Sequence, residues 1–252
     1  MRTNLINKEE GAATVEEGLL DLVIAFDTTG SMASFIGDVK KHVTDLVPEL
    51  LRANPKMMIG IVAFGDYCDM LDVGIFGNAY QCLNLSNKEE EIISFIEQAE
   101  KTFGGDGDEF YELVIRKITN ETNWREGSNK VVLLIGDAAP HSVNYKYIKR
   151  GKTIECNIDW RIEAECAKTK GIKFDTLGIW DYESWYKELS EITGGVYSLF
   201  NAAEKTNRVM RAVAYARGGV ATASLFKQIM EEDKDDTDLT HVYSMYSEEV
   251  IN

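Results

Sequence analysis

The sequence predicts an α/β fold: a doubly wound, Rossmann-like, mostly parallel central sheet with one antiparallel edge strand and helices on both faces. Three observations predict it. Short unbroken apolar runs at 20–26, 57–64, 131–135, 173–179 and 196–200 suit strands buried on both faces. Amphipathic helical patterns fill the intervals at 32–51, 88–101, 109–124, 159–170, 184–193 and 203–216. Gly171, Gly194 and Gly195 fall just past helix ends, where a left-handed cap is expected.

The first run ends in Asp27-Thr28-Thr29-Gly30-Ser31, and the helix pattern from residue 32 begins directly after it. After the second run, 69–85 has the pattern of an antiparallel edge hairpin around Gly77-Asn78. The segment Gly104-Gly105-Asp106-Gly107-Asp108-Glu109 opens the third helix, and the run at 131–135 leads into Gly136-Asp137-Ala138-Ala139-Pro140-His141. Residues 218–230 suit one more short helix, and an acidic, mobile tail is expected beyond it. The organisation expected is an N-terminal extension over 1–18, one domain over 19–217, and a C-terminal helix and acidic tail over 218–252.

The chain has 252 residues, 44% of them apolar and 27% charged, enough to bury a full core. A net charge of −15 argues against nucleic acid and against an anionic membrane as partner. From Glu231 onward, eight acids stand against one lysine. The first residues lack the apolar core of a signal peptide, and no 18-residue apolar run occurs, so a cytoplasmic protein is expected. Cys68, Cys82, Cys156 and Cys166 have no CxxC or zinc spacing; reduced, partly buried thiols are expected, a Cys68–Cys82 bridge being the oxidised alternative.

Three loops share the expected carboxyl edge of the sheet, where such folds bind ligands. In the first, Asp27, Thr29 and Ser31 alternate, so one turn of backbone can aim three oxygens at a hard divalent cation; a hydroxyl cap for the following helix is the simpler structural use. In the second, glycines permit close backbone approach, and Asp106 or Asp108 supplies an acid, though acids at a helix start also answer the helix dipole. In the third, Asp137 ends a central strand, an expensive place for an acid unless it is paired or ligating.

This constellation resembles the von Willebrand factor A domain with its metal-ion-dependent adhesion site. Asp27, Thr29 and Ser31 match the family's Asp-x-Ser/Thr-x-Ser motif, and Asp137 matches the Asp after its fourth strand. The family's loop-two threonine is absent; GGDGDE, LLIGDAAPH and the stretch from residue 171 to 199 resemble the branch fused to alpha-kinases. The resemblance implies direct metal contact by Thr29 and Ser31, Asp27 and Asp137 acting through waters, and an open position for a partner's Asp or Glu. It implies Mg²⁺, with Mn²⁺ or Ca²⁺ as alternatives, and a loop-two acid that tightens the metal while muting its pull on a partner.

Around that edge, Asp66 and Tyr67 follow the second strand, Trp180, Asp181 and Tyr182 follow the fifth, and His141 closes the third loop. These form an expected partner-binding rim. Trp185 and Tyr186 lie inside a helix and are expected to pack. None of the three histidines neighbours a plausible nucleophile, and no Walker or GxGxxG loop occurs. The function expected is therefore a non-enzymatic, intracellular module that captures an acidic partner side chain through a metal. Two alternatives stand beside it. One is a haloacid-dehalogenase-like phosphotransferase with Asp27 as nucleophile, against which Thr28 and His141 replace the expected Lys and Asp. The other is the same fold without a working metal site.

Overall fold

The structure, a computed structural model, describes residues 18–71, 78–179, 183–199 and 203–250. Strand β1 (Leu20–Asp27) is buried along its whole length because each face meets its own core. Leu22, Ile24 and Phe26 point into one apolar layer, Val23 and Ala25 into the other. Strand β5 (Asn129–Gly136) divides in the same way, with Val131, Leu133 and Ile135 against Val132 and Leu134.

The six-stranded sheet runs β10-β9-β5-β1-β2-β3. Its remaining strands are β2 (Met58–Phe64), β3 (Tyr80–Ser86), β9 (Ile172–Gly178) and β10 (Tyr197–Leu199). All pairings are parallel except β2 with β3, which gives the expected antiparallel edge. The two-layer core is closed by α1 (Ile36–Ala53), α3 (Glu89–Gln98) and α7 (Ala203–Arg217) on one face. On the other lie α4 (Tyr111–Glu121), α5 (Trp160–Thr169) and α6 (Glu183–Thr193). The chain leaves β1 for β2 on one side and returns to β5 on the other, so the switch point lies between the ends of β1 and β5.

Several elements differ from the sequence reading. Residues 31–34 form a 3-10 turn before α1, because Gly30 and the loop backbone hold the helix start back. The expected 69–85 hairpin is instead a short helix, α2 (Tyr67–Leu71), followed by β3 paired to β2; Gly77 lies outside the described residues. The third helix starts at Tyr111 because Asp108–Glu109 (β4) pair in parallel with Ala139–Pro140 (β6). A hairpin, β7 (Tyr145–Lys149) with β8 (Lys152–Cys156), fills 145–156, which the sequence left unassigned. The expected mobile tail is a helix: α8 (Ala223–Glu232) is followed by α9 (Thr237–Val250), whose Leu239, Val242, Tyr243 and Tyr246 enter the core.

Candidate metal centre

Strand β1 delivers Asp27 fully buried to the carboxyl edge. Its Oδ1 accepts both the N–H and the hydroxyl of Thr29, each at 2.7 Å. Its Oδ2 accepts the Tyr111 hydroxyl at 2.9 Å, and Tyr186 donates to Tyr111 at 2.9 Å. The Thr29 hydroxyl lies 3.3 Å from Ser31 Oγ, which donates to Asp137 Oδ1 at 3.0 Å. Asp27, Thr29, Ser31 and Asp137 thus form one continuous line across the switch point. Thr28 turns the other way: its hydroxyl donates to the Phe64 carbonyl at 2.8 Å and lies 2.9 Å from Thr102 Oγ1, tying loop one to loop two.

Loop two is held from below by Asp69, which accepts the N–H groups of Phe103 at 2.9 Å, Gly104 at 3.2 Å and Asp66 at 3.0 Å. The two acids singled out in this loop face outward. Asp106 accepts the Tyr145 hydroxyl at 2.8 Å and the Asp108 N–H at 3.3 Å, and Asp108 is exposed. Glu109 instead points inward and is 3% exposed, with Oε2 buried and, among the described residues, without a hydrogen-bond partner. Its Oε1 occupies the notch left by Gly104: a Cβ there would lie 2.7 Å from Glu109 Oε1 and 3.4 Å from Thr29 Cβ.

The expected rim is partly buried. Asp66, Tyr67 and His141 are 0%, 4% and 2% exposed because the β7–β8 hairpin covers them. His141 Nε2 lies 2.6 Å from Asp66 Oδ1, its ring stacks on Tyr145 at 3.7 Å, and its N–H donates to Glu112 at 3.1 Å. Tyr67 donates to Cys156 Sγ at 3.0 Å. Asp66, Asp106 and His141 present ligand atoms within 4.8 Å of one another, a second group that could hold a cation. Trp185, expected only to pack, also donates from Nε1 to the Ala138 carbonyl at 2.9 Å and so fixes loop three. Trp180 and Asp181 lie outside the described residues. All four cysteines are free thiols.

Sequence pattern did not single out Tyr111, Tyr186, Asp69 or Glu112 as supports of these loops, since each acts across a long chain separation. Glu109 had a signal, its place at the end of the GGDGDE run, but Asp106 and Asp108 shared it.

Acid accumulates at this edge. Burial pushes Asp27 up to about 7, against its hydrogen bonds from Thr29. Burial also raises Glu109 to about 10, reinforced by Asp27, Asp66 and Asp69, and it raises Asp137 despite the Ser31 hydrogen bond. Burial opposes charge on His141, but Asp66 beside it carries its pKa upward. Two buried acids elsewhere have cations: Asp21 pairs with Arg125 Nε at 2.6 Å, and Asp175 with Arg217 Nη2 at 2.6 Å. Oxygen donors, a carboxylate oxygen without a partner and a glycine notch all fit a hard divalent ion.

Comparison with known proteins identifies the family and the fold. Residues 21–215 match the von Willebrand factor type A domain, a span covering well over half of the chain. An ariadne-like RING finger protein, R811 of Acanthamoeba polyphaga mimivirus, is 24% identical over 188 residues, 71% of this chain and 18% of that relative. The chain therefore spans less than a fifth of that relative's length. Two crystal structures of the pilus adhesin SpaC from Lactobacillus rhamnosus GG share the fold, with TM-scores of 0.58 and 0.60 at 16% and 17% identity. Each alignment covers 82% of this chain, and 31% and 32% of the respective adhesin chains. The chain belongs to the von Willebrand factor type A domain family, whose members typically serve as non-enzymatic protein-interaction modules and often bind a divalent metal.

Proposed function

We propose that this domain is a metal-dependent protein-binding module. Asp27, Thr29, Ser31, Asp137 and a loop-two acid would hold Mg²⁺, with Mn²⁺ or Ca²⁺ as alternatives, and a partner protein would offer an Asp or Glu to it. The observation that carries this reading is the line of contacts from Tyr111 through Asp27, Thr29 and Ser31 to Asp137, in which, among the described residues, neither buried acid pairs with a side-chain cation. The ion would supply the positive point that an acidic ligand needs on a chain of net charge −15. Phe103, 65% exposed, adjoins loop one through its carbonyl, which accepts the Gly30 N–H at 3.1 Å, and Val143 is exposed beyond His141. Phe103 favours a partner carboxylate flanked by an apolar side chain. A related fold in a pilus adhesin supports the binding role, GGDGDE supports the alpha-kinase-associated branch, and the free thiols suit a cytoplasmic location.

A phosphotransferase reading has less support. Asp27 is buried with both oxygens already accepting hydrogen bonds, and Thr28 faces away from it toward Phe64. The test is calorimetric titration of Mg²⁺ and Mn²⁺ into chelator-stripped protein beside Asp27→Ala. One saturable site, lost in the variant, is expected, followed by partner capture that chelator abolishes. Equal weak heats from both proteins would sink the metal-dependent reading.

A further inference from the structure

We propose that Glu109 is the ligand through which loop two holds the divalent cation, an anionic carboxylate standing where a neutral hydroxyl would serve. The inference rests on the metal-binding reading above and names one residue within it.

Strand alternation decides which acid turns inward. Because β4 pairs in parallel with β6, Asp108 stands opposite Ala139 and Glu109 opposite Pro140, which ties Glu109 to the loop carrying Asp137. Asp108 then faces solvent and Glu109 faces the interior. Asp106 is engaged on the far side, by the Tyr145 hydroxyl on the hairpin. Gly104, at φ +73, leaves the notch that admits the Glu109 carboxylate beside Thr29; any side chain there would meet Oε1 at 2.7 Å.

What is left over points to a cation. Glu109 Oε2 is shut off from solvent, yet among the described residues no donor or acceptor meets it. A carboxylate in that position lacks a donor, and a carboxylic acid lacks an acceptor, so neither state is satisfied by the fold itself. The charges that act most strongly on Glu109 are the acids Asp27, Asp66, Asp69 and Asp106, and among the described residues no ion pair joins it to a side-chain cation. A hard divalent ion beside Thr29 would give Glu109 Oε2 the partner that the fold does not supply.

The test is Mn²⁺ titration by calorimetry, with the spectrum of bound Mn²⁺ followed by electron paramagnetic resonance, on the 252-residue wild-type chain, Glu109→Gln, Glu109→Asp, Glu90→Gln and Asp27→Ala. The expected result is an affinity loss of at least about tenfold in Glu109→Gln, as removal of even an outer-sphere group costs about 10–100-fold. Glu109→Asp, which keeps the charge but shortens the reach, should also weaken binding and change the Mn²⁺ spectrum, while Glu90→Gln, at an exposed acid on α3, stays close to wild type. Thermal melts in chelator show whether each variant folds, and Glu109→Gln should melt no lower than wild type, since it deletes a buried acid. Wild-type affinity in Glu109→Gln with binding lost in Asp27→Ala would overturn the assignment and leave the metal site standing. Equal losses in Glu109→Gln and Glu90→Gln would reduce it to diffuse charge, and absence of a saturable site in wild type would remove both readings.

Discussion

Asp27 shows how a single acid can be set at the end of a buried strand. It is held by groups on three elements: the backbone and hydroxyl of Thr29, the Tyr111 phenol on α4, and through that phenol the Tyr186 hydroxyl on α6. Gly136 makes the arrangement possible, because a Cβ at that position would lie 1.9 Å from the Tyr111 hydroxyl and 2.8 Å from that of Tyr186. Tyr111→Phe removes the donor and leaves Asp27 Oδ2 buried without a partner, a loss of about 1–3 kcal/mol. Urea unfolding in chelator should show that loss, and Gly136→Ala should show one at least as large. An unchanged midpoint in Tyr111→Phe would mean that the phenol gives Asp27 no support.

At the scale of elements, α9 is the part most at odds with its composition. Leu239, Val242, Tyr243 and Tyr246 recur at i, i+3, i+4 and i+7 and are all buried, with Phe226 of α8 meeting Tyr243 and Tyr246 edge-on. Leu239→Ala should therefore cost about 2–5 kcal/mol and lower the single cooperative transition, as in any core position; a near-zero effect would mean a loosely attached tail. That periodicity is present in the sequence but lies among eight acids, a composition that favours a solvated tail. The central strands and the loops bearing Asp27 and Asp137 were legible because they are local: an apolar run and the acid directly after it. The β7–β8 hairpin was not, since its turn is Arg150-Gly151, both at positive φ, without the Asn-Gly or Asp-Gly that marks such turns. Nor was the inward turn of Glu109, which depends on β4 meeting β6 far along the chain.

For the whole molecule, buried acids make stability and metal binding depend on pH together. Asp27 at about 7 and Glu109 at about 10 both lie above the ordinary carboxylate values of 3.8 and 4.5, so the folded state holds protons that the unfolded state has released. Stability from these groups is therefore greatest in acid, falls as pH rises above the unfolded carboxylate range, and for Asp27 is lost once pH passes about 7. Metal acts in the opposite sense. A cation competes with those protons, binds better as pH rises, and stabilises whichever state it binds. In chelator, the melting temperature should fall between about pH 5.5 and about pH 8, and the rise caused by saturating Mg²⁺ should be larger at about pH 8. Repulsion in a chain of net charge −15 works in the same direction, so the scan belongs at about 0.15 M monovalent salt, where exposed charges are screened beyond ~8 Å. The control is Asp27→Asn with Glu109→Gln, which keeps the tail and most of the net charge but removes two of the buried acids that couple protons to metal. Its melting temperature in chelator should depend less on pH, and Mg²⁺ should shift it little at either pH. A Mg²⁺-induced shift that is equal at both pH values in wild type, or that survives in the double variant, would place the coupling outside the Asp27 centre.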